Sequence, residues 1–565
     1  MNVERLLQHY EKIADATDAI ARLRRFVLDL AVRGKLVPQD PKDEPASDVG
    51  LKIKTRSRGQ VQESIEPPFG VPAGWAWRAV DTLADQVTDG EHATPPRISE
   101  AQVPLVTAKN VREGFMDYSQ TDWVSYETAR KAWGRCRPQV GDLLMVCVGA
   151  TTGRLTVLRE ARDMVLVRSV ALVRPNSDVL NEYLERAIRS PFVQQQIWAS
   201  IKAAAQPCLY INRIQSLLIP LPPLAEQHRI VAKVDELMGL CDRLEAARAA
   251  REAARDRLAL ASLARLNAPD PETFQADARF ALNALPALTT RPDQIKRLRQ
   301  TILNLAVRGK LLPQDANDEP ASELLKRIAK EKARLVKEGK AKRYDALPEI
   351  DLDQAPFELP DGWAWGRFPE VGTFARGKSK HRPRNDPVLF DGGEHLMIQT
   401  GDVARSQGVI ETYTSKYNDF GLSQSFKWPK GTLCITIAAN IADSGILSFD
   451  ACFPDSVVGF IPASMFENAR YFEYFVRTAK ANLLEFAPAT AQKNINLEIL
   501  TQVLIPLPPL AEQHRIVAKV DELMALCDRL EGSLTATAAT RRRLLDALLA
   551  EALAPVDVAE MEAAE

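Results

Sequence analysis

Residues 219–245, IPLPPLAEQHRIVAKVDELMGLCDRLE, return at 505–531 as IPLPPLAEQHRIVAKVDELMALCDRLE, with 26 of 27 positions identical at an offset of 286. Only Gly239/Ala525 differs. Self-similarity over a long period is an architectural signal, because each copy specifies the same supersecondary unit. The Pro222-Pro223 and Pro508-Pro509 pairs suit the first turn of a helix, where the N–H has no intrahelical partner to lose. Ile230, Val234, Leu237, Cys241 and Leu244 follow at alternating four- and three-residue steps, as do Ile516, Val520, Leu523, Cys527, Leu530 and Leu534. That spacing is an a/d seam and predicts a coiled-coil helix. Arg248 falls at the next step of the first copy, so the seam is expected to end or shift there. The helix is expected to run from 222 to about 266, roughly 68 Å at 1.5 Å per residue.

A second repeat confirms the duplication. LRRFVLDLAVRGKLVPQDPKDEPAS at 23–47 matches LRQTILNLAVRGKLLPQDANDEPAS at 298–322. Segment 1–47 reads as helix, with Ile13, Ile20, Leu23, Val27, Leu30 and Ala31 on one face, ending at Gly34. A polar linker then reaches Pro68. Two inserts of nearly equal length follow, 68–218 and 356–504. They open alike, with PFGVPAGWAW at 68–77 and PFELPDGWAW at 356–365, and close alike on Ala205-Gln206 and Ala491-Gln492. Their interiors differ. VPLVTAKNV, GDLLMVCVGA and VLVRSVALV read as strands in the first, and HLMIQT, GTLCITIAA and VVGFIPA in the second. Each interior then yields to a helical stretch. The central region 219–343 continues through a Pro/Ala-rich connector (267–292), a helix at Gln294–Val307 and a basic helix at 323–343. The C-terminal repeated helix, 505–565, adds Leu544 and Leu548 as apolar positions.

The expected fold class is mixed α/β: two globular α/β domains, separated and bridged by long antiparallel coiled-coil helices, with pseudo-two-fold symmetry. If the terminal pieces pack together as the central ones do, the chain closes into a ring offering the same surface twice.

The bulk properties fit. A chain of 565 residues, 46% hydrophobic and 26% charged, is ordinary globular material that splits into several domains. No apolar run approaches the roughly 20 residues of a membrane span, and MNVERLLQHYEKIADATDAI is not a secretory signal. The 7 cysteines include no CxxC pair, which argues against a zinc ribbon or disulfide framework, and the expected compartment is the reducing cytoplasm. A formal net charge of −1 argues against an autonomous nucleic-acid binder, although local patches are basic.

Taken together, LAVRGKLxPQD, DEPAS, GWxW and IPLPPLxEQxRIVxKVDELMxLCDxLE, each present twice and in order, resemble the specificity subunits of type I restriction–modification systems. The resemblance covers essentially the whole chain. It implies that each insert is a target recognition domain reading one half of a split site on double-stranded DNA. It also implies that the helices space the two domains and hold two adenine-methylating subunits, which restriction subunits join. S-adenosylmethionine, ATP and Mg²⁺ are expected in those partners, and no cofactor, metal or catalytic residue in this chain.

Candidate DNA contacts follow from side-chain chemistry beside that resemblance. RGKSKHRPR places Arg376, Lys378, Lys380, Arg382 and Arg384, with His381, within nine positions of a turn-rich segment. Such cations neutralise phosphates or donate to guanine edges. A solvated loop is the plain alternative. In the first insert the loop TDGEHATPPR offers Thr88, Asp89, Glu91 and His92, and the following strand ends in Lys109, Asn110 and Arg112. Asn can pair bidentately with adenine. Gln399, Thr400 and Asp402 stand at a similar place in the second insert. Glu226, Gln227, His228 and Arg229, with Glu512, Gln513, His514 and Arg515, are candidates for partner-subunit or helix docking, and His228 and His514 also for a cap. Trp75, Trp77, Trp363 and Trp365 are expected to be packing anchors, and Cys241 and Cys527 core residues.

Two rival readings are a self-contained methyltransferase–nuclease and a coiled-coil scaffold that does not read DNA. The chain has no [N/D]PP[Y/F], which opposes the first. Two divergent inserts of equal size oppose the second.

Overall fold

The computed structural model describes residues 15–16, 18–46, 68–201, 207–268, 270, 272–338, 347–437, 442–480 and 497–553. The Ala205-Gln206 and Ala491-Gln492 pairs, and residues 339–343 of the basic helix, lie outside them. The chain forms two compact units, one of residues 1–251 with 537–565, the other of residues 252–536.

In the first unit, helix α1 (Ala19–Val32) precedes β1 (Ala76–Ala79), β2 (Ala84–Asp89), β3 (Val103–Val106), β4 (Asp122–Val124) and α2 (Tyr126–Trp133). Then come β5 (Leu143–Val146), β6 (Leu155–Val157), β7 (Val165–Leu166), β8 (Val170–Pro175), α3 (Asn181–Arg189), α4 (Pro191–Ala199), α5 (Ile211–Gln215) and β9 (Leu218–Leu221). Helix α6 runs from Leu224 to Asn267, 44 residues, close to the expected span, but Pro222-Pro223 precede it instead of forming its first turn, and the repeated segment opens as strand β9. A four-stranded sheet has order β2-β8-β5-β6 and a three-stranded one β4-β3-β7.

The runs LLMV and VALV lack polar alternation because the larger sheet is buried on both faces. Leu143, Met145, Ala171 and Val173 pack with Tyr183, Leu184, Ile188 and Ile197 of α3 and α4. Their neighbours Leu144, Val146, Val170 and Leu172 face the other way, onto Val106 and Leu166 of the smaller sheet. The two-residue period of a strand thus divides one apolar run between two cores.

The second unit repeats the plan. After α7 (Phe274–Asn283), α8 (Leu285–Leu288), α9 (Pro292–Val307) and α10 (Ala321–Lys337) come β10 (Ala364–Gly366), α11 (Phe368–Val371), β11 (Gly372–Arg376) and β12 (His395–Met397). The insert continues with α12 (Thr400–Arg405), β13 (Val409–Ile410), β14 (Ser415–Tyr417), α13 (Asp419–Ser423), β15 (Lys427–Trp428) and β16 (Leu433–Thr436). It finishes with β17 (Ser444–Leu447), β18 (Ala451–Cys452), β19 (Val457–Pro462), α14 (Arg470–Ala479), α15 (Leu497–Gln502) and β20 (Ile505–Leu507), ahead of α16 (Leu510–Leu553). Its sheets have orders β11-β19-β16-β17-β13 and β14-β12-β18-β15. Again alternate residues diverge: Leu433, Ile435, Val458 and Phe460 join the helix-side core, Cys434 and Val457 the inter-sheet core.

The repeated motifs close each insert. GWAW pairs with IPLPPL as an antiparallel clasp, Ala76 opposite Leu221 and Trp77 opposite Pro220, and likewise Ala364 opposite Leu507 and Trp365 opposite Pro506. Inside each unit the repeated helices are antiparallel. Arg24 reaches Asp242 and Glu245 at 2.6 and 2.7 Å, while Gln39, further along, bonds Glu226. In the second unit Arg299 reaches Asp528 and Glu531 at 2.5 and 2.7 Å, and Gln314 bonds Glu512.

Ile230, Val234 and Cys241 are buried along the expected seam, as are Ile516, Val520 and Cys527. Both copies expose the leucine that follows the cysteine, Leu244 (37% exposed) and Leu530 (36%), so the first seam ends one step before Arg248, while in the second Leu534 packs on the core again. The facing helix there presents an arginine stretched to two carboxylates, Arg24 or Arg299, instead of an apolar knob. Arg248 instead donates to the Ala16 carbonyl at 2.8 Å. The terminal pieces do pack together: Ala16 and Ala19 share a small core with Leu545 and Leu548, and Ala259, Leu263 and Leu266 form one with Ala281 and Leu288.

Candidate nucleic-acid interface

The two loops chosen on composition occupy equivalent positions. Each leaves the first strand of the larger sheet (β2 or β11) and passes over the smaller sheet. Each begins with a glycine pressed on backbone. A Cβ at Gly90 would lie 2.1 Å from the Leu166 carbonyl oxygen, and one at Gly377 2.4 Å from those of Phe453 and Pro454. No larger residue fits without moving the strand beneath.

In the first insert, Asp89 accepts from Arg135 at 2.5 Å and contacts His92 Nε2 at 2.9 Å, and Arg135 also reaches His92 at 3.1 Å. Glu91 is tied by its backbone N–H to the Leu166 carbonyl, and Thr88 lies half-buried on β2. Lys109 is exposed, 3.4 Å from Asp122, which Arg97 approaches at 3.5 Å. Arg112 pairs with Asp117 at 3.1 Å. Arg135 and Asp122 carry no local sequence signal, being brought in from other elements, whereas Arg97 ends the quoted loop itself.

Asn110 is a correction. Expected to reach an adenine edge, it is 1% exposed, with both ends of its amide occupied. Its Oδ1 accepts from Thr107 N at 2.9 Å and Thr107 Oγ1 at 3.2 Å, and its Nδ2 donates to the Asp117 carbonyl and Thr121 Oγ1 at 3.0 and 3.1 Å. It braces a turn and has no free edge.

Asp402 is a second correction. It is buried at the start of α12, accepting from the Gln399 N–H at 2.8 Å, from Arg405 at 2.7 Å and from Thr414. A carboxylate there satisfies an otherwise orphaned N–H and complements the helix dipole. Gln399 is exposed and Thr400 half-buried.

In the basic loop Arg376, Lys378, Lys380, Arg382 and Arg384 are exposed. Arg384 pairs with Asp455 at 2.5 Å and Arg382 lies 3.8 Å from it, while His381 contacts Asp386 at 2.8 Å. The hydrogen bond from His381 holds the Asp386 carboxyl below its usual range. Arg376, Lys378 and Lys380 make no salt bridge among the described residues.

The docking candidates divide. Glu226, Gln227, Glu512 and Gln513 face inward, which suits docking of the helix on its own insert and not contact with a partner subunit. Glu226 accepts from Trp75 Nε1 at 2.9 Å and Gln39 at 3.1 Å, and Glu512 from Trp363 Nε1 at 3.0 Å and Gln314 at 3.2 Å. Gln227 bonds Leu180 N–H and the Asp178 and Pro222 carbonyls, and Gln513 the Pro508 carbonyl. A buried polar side chain must be paired, and here the clasp supplies the partners. Arg229 and Arg515 pair with Asp43 and Asp318 at 2.6 and 2.5 Å. His228 and His514 are exposed, His514 lying 3.6 Å from Glu467.

Burial pushes the Cys136 and Cys147 thiols up to about 12, so neither is poised as a nucleophile. Among the described residues no group of three or more His, Cys, Asp or Glu is placed to hold a metal, and no helix is long and apolar enough to cross a membrane.

Comparison with known proteins matches this architecture. The type I restriction modification DNA specificity domain matches residues 360–538. The EcoAI type I restriction enzyme specificity subunit of Escherichia coli is 30% identical over 567 residues, covering 94% of this chain and 93% of the relative. The EcoEI specificity subunit, also of Escherichia coli, is 30% identical over 575 residues, covering 94% of each. A solved chain from a study of complex assembly and conformational transition of the type I R-M system shares the fold, at TM-score 0.50 and 19% identity over 86% of this chain and 99% of that one. The doubled clasp, the paired loops and these relatives lead to one conclusion: the chain belongs to the DNA-recognising specificity subunits of type I restriction enzymes.

Proposed function

We propose that each insert reads one half of a bipartite site on double-stranded DNA, and that the repeated helices set the spacer and dock two methyltransferase subunits. The chain directs adenine methylation and, with restriction subunits, cleavage, without itself catalysing either. S-adenosylmethionine, ATP and Mg²⁺ are bound by those partners, and the assembly works in the cytoplasm.

The observation that carries this reading is the division of labour within the repeat. Clasp, anchors and ion pairs recur nearly residue for residue, while the loops after Gly90 and Gly377 share neither length nor charge. Identical frames suit identical partners, and unlike loops suit unlike half-sites.

The test is reconstitution with the host's methyltransferase subunits, followed by mapping of methylated adenines. A two-part motif with a fixed gap is expected, and no methyl transfer from labelled S-adenosylmethionine by the chain alone. Transfer by the chain alone, or methylation without sequence preference, would refute the reading.

A further inference from the structure

The basic loop of the second insert does not stand alone. Its backbone is laid against the segment 419–427: Lys380 N–H donates to the Gln424 carbonyl at 3.1 Å, and Ser425 Oγ to the Lys378 carbonyl at 2.8 Å. On that segment Phe420 is 45% exposed and Phe426 54%.

Neither ring is loosely held. Phe426 packs edge-on against Trp428, centroids 5.2 Å apart, and buried Trp428 stacks on Phe453 at 5.0 Å and 18°. The Phe453 carbonyl in turn accepts from Lys378 N–H at 3.1 Å, so one aromatic column supports both the ring and the cation. Phe420 meets the His381 ring edge-on at 5.7 Å, and His381 is pinned by Asp386. On the same two segments stand Lys378, Lys380 and Lys427, all exposed and without a salt bridge among the described residues.

The first insert is built differently here. There Arg135 reaches the equivalent loop, bonded to Asp89 and beside His92. At the loop after Gly377 the second insert instead sets two held aromatic rings beside cations. Their chemistry matches a duplex: cations for phosphates, and an apolar edge that can enter a base step and partly unstack it. Pyrimidine–purine steps yield to such a wedge most easily, so the insertion carries sequence information without base hydrogen bonds.

We propose that Phe420 and Phe426 form an apolar wedge against one deformable base step in the half-site read by the second insert. This rests on the DNA-reading function proposed above.

The test uses the full chain assembled with methyltransferase subunits, and selection from a pool of randomised duplexes. Phe420→Ala with Phe426→Ala is expected to lower affinity for the wild-type-selected duplex roughly ten-fold or more, the size of one mismatched base pair. Preference should vanish at one dinucleotide step of one half-site, with the other half-site and the salt slope unchanged. Phe426→Leu should keep the preference, since leucine also wedges. Lys378→Ala should show the opposite pattern, a shallower salt slope with base preference intact. 2-Aminopurine placed at the step should brighten with the wild-type assembly and stay quenched with the double variant.

Unchanged selection and affinity in the double variant would overturn the wedge, as would loss of methyltransferase binding in its place, which would make the rings a protein contact. If the wild-type assembly itself selects no consensus, the DNA-reading function fails and the wedge with it. A wild-type consensus that the variant retains overturns the wedge alone.

Discussion

The indole Nε1 of Trp75 donates to the buried Glu226 carboxylate across 2.9 Å, tying the opening strand of the first insert to the helix that closes it. Trp363 and Glu512 repeat the contact at 3.0 Å. A hydrogen bond to a charged, buried acceptor contributes about 1.5–3 kcal/mol. Trp75→Phe is expected to destabilise the first unit by that order and to leave the second unaffected. Hydrogen exchange along 76–79 and 218–221, against 364–366 and 505–507, measures this, and equal loss of protection in both units would contradict it.

Asn110 makes four hydrogen bonds inside one turn. Asn110→Ala should therefore cost stability, roughly 2–3 kcal/mol as orphaned buried groups do, and leave the recognised bases unchanged. Methylation mapping beside a denaturant titration separates the two effects. An altered motif at native stability would restore Asn110 as a base reader.

Replacing Arg376, Lys378, Lys380, Arg382 and Arg384 together should weaken DNA binding and flatten its salt dependence. Every phosphate that is no longer neutralised lowers the log–log slope by about 0.9. Arg382 and Arg384 already face Asp455, so most of the change should come from the other three. An unchanged slope would remove this loop from the interface.

Glu473 is fully buried on α14, with Ser444 Oγ at 3.4 Å and Arg477 at 3.6 Å, and burial raises its pKa from 4.5 to about 7. Its folded-state value lies above its unfolded one, so its contribution to stability is full below pH 4.5 and is lost as pH rises through about 7. Glu473→Gln should remove that slope and make the second unit more stable than wild type at pH 8, by up to about 3 kcal/mol. Thermal unfolding of both proteins between pH 5 and 8 reads it out, and parallel curves would count against it.

Inserting one helical turn after Glu245 is expected to alter the gap between half-sites and not their bases. The insertion lies within the 44-residue α6, beyond the Arg24 pair and before Arg248 meets Ala16. Mapping methylated adenines decides it. Changed half-site bases would refute the role of the helix as a ruler.

The doubled architecture was legible in the sequence because it rests on local, repeated chemistry. Apolar spacing predicts the repeated helices, and duplicated GWAW marks where each insert opens, so the buried Ile230, Val234, Ile516 and Val520 follow directly, while the pairing of GWAW with IPLPPL came from the fold. Composition likewise located both exposed loops. The tertiary structure alone decided which polar residues face solvent, because burial depends on neighbours far along the chain. Asn110, Asp402, Glu226 and Gln227 look like ligands in sequence, yet each finds its partners inside. Conversely, Arg135 joins Asp89 from 46 residues away, and Phe420 and Phe426 gain their meaning only beside a cationic loop that long-range pairing lays against them.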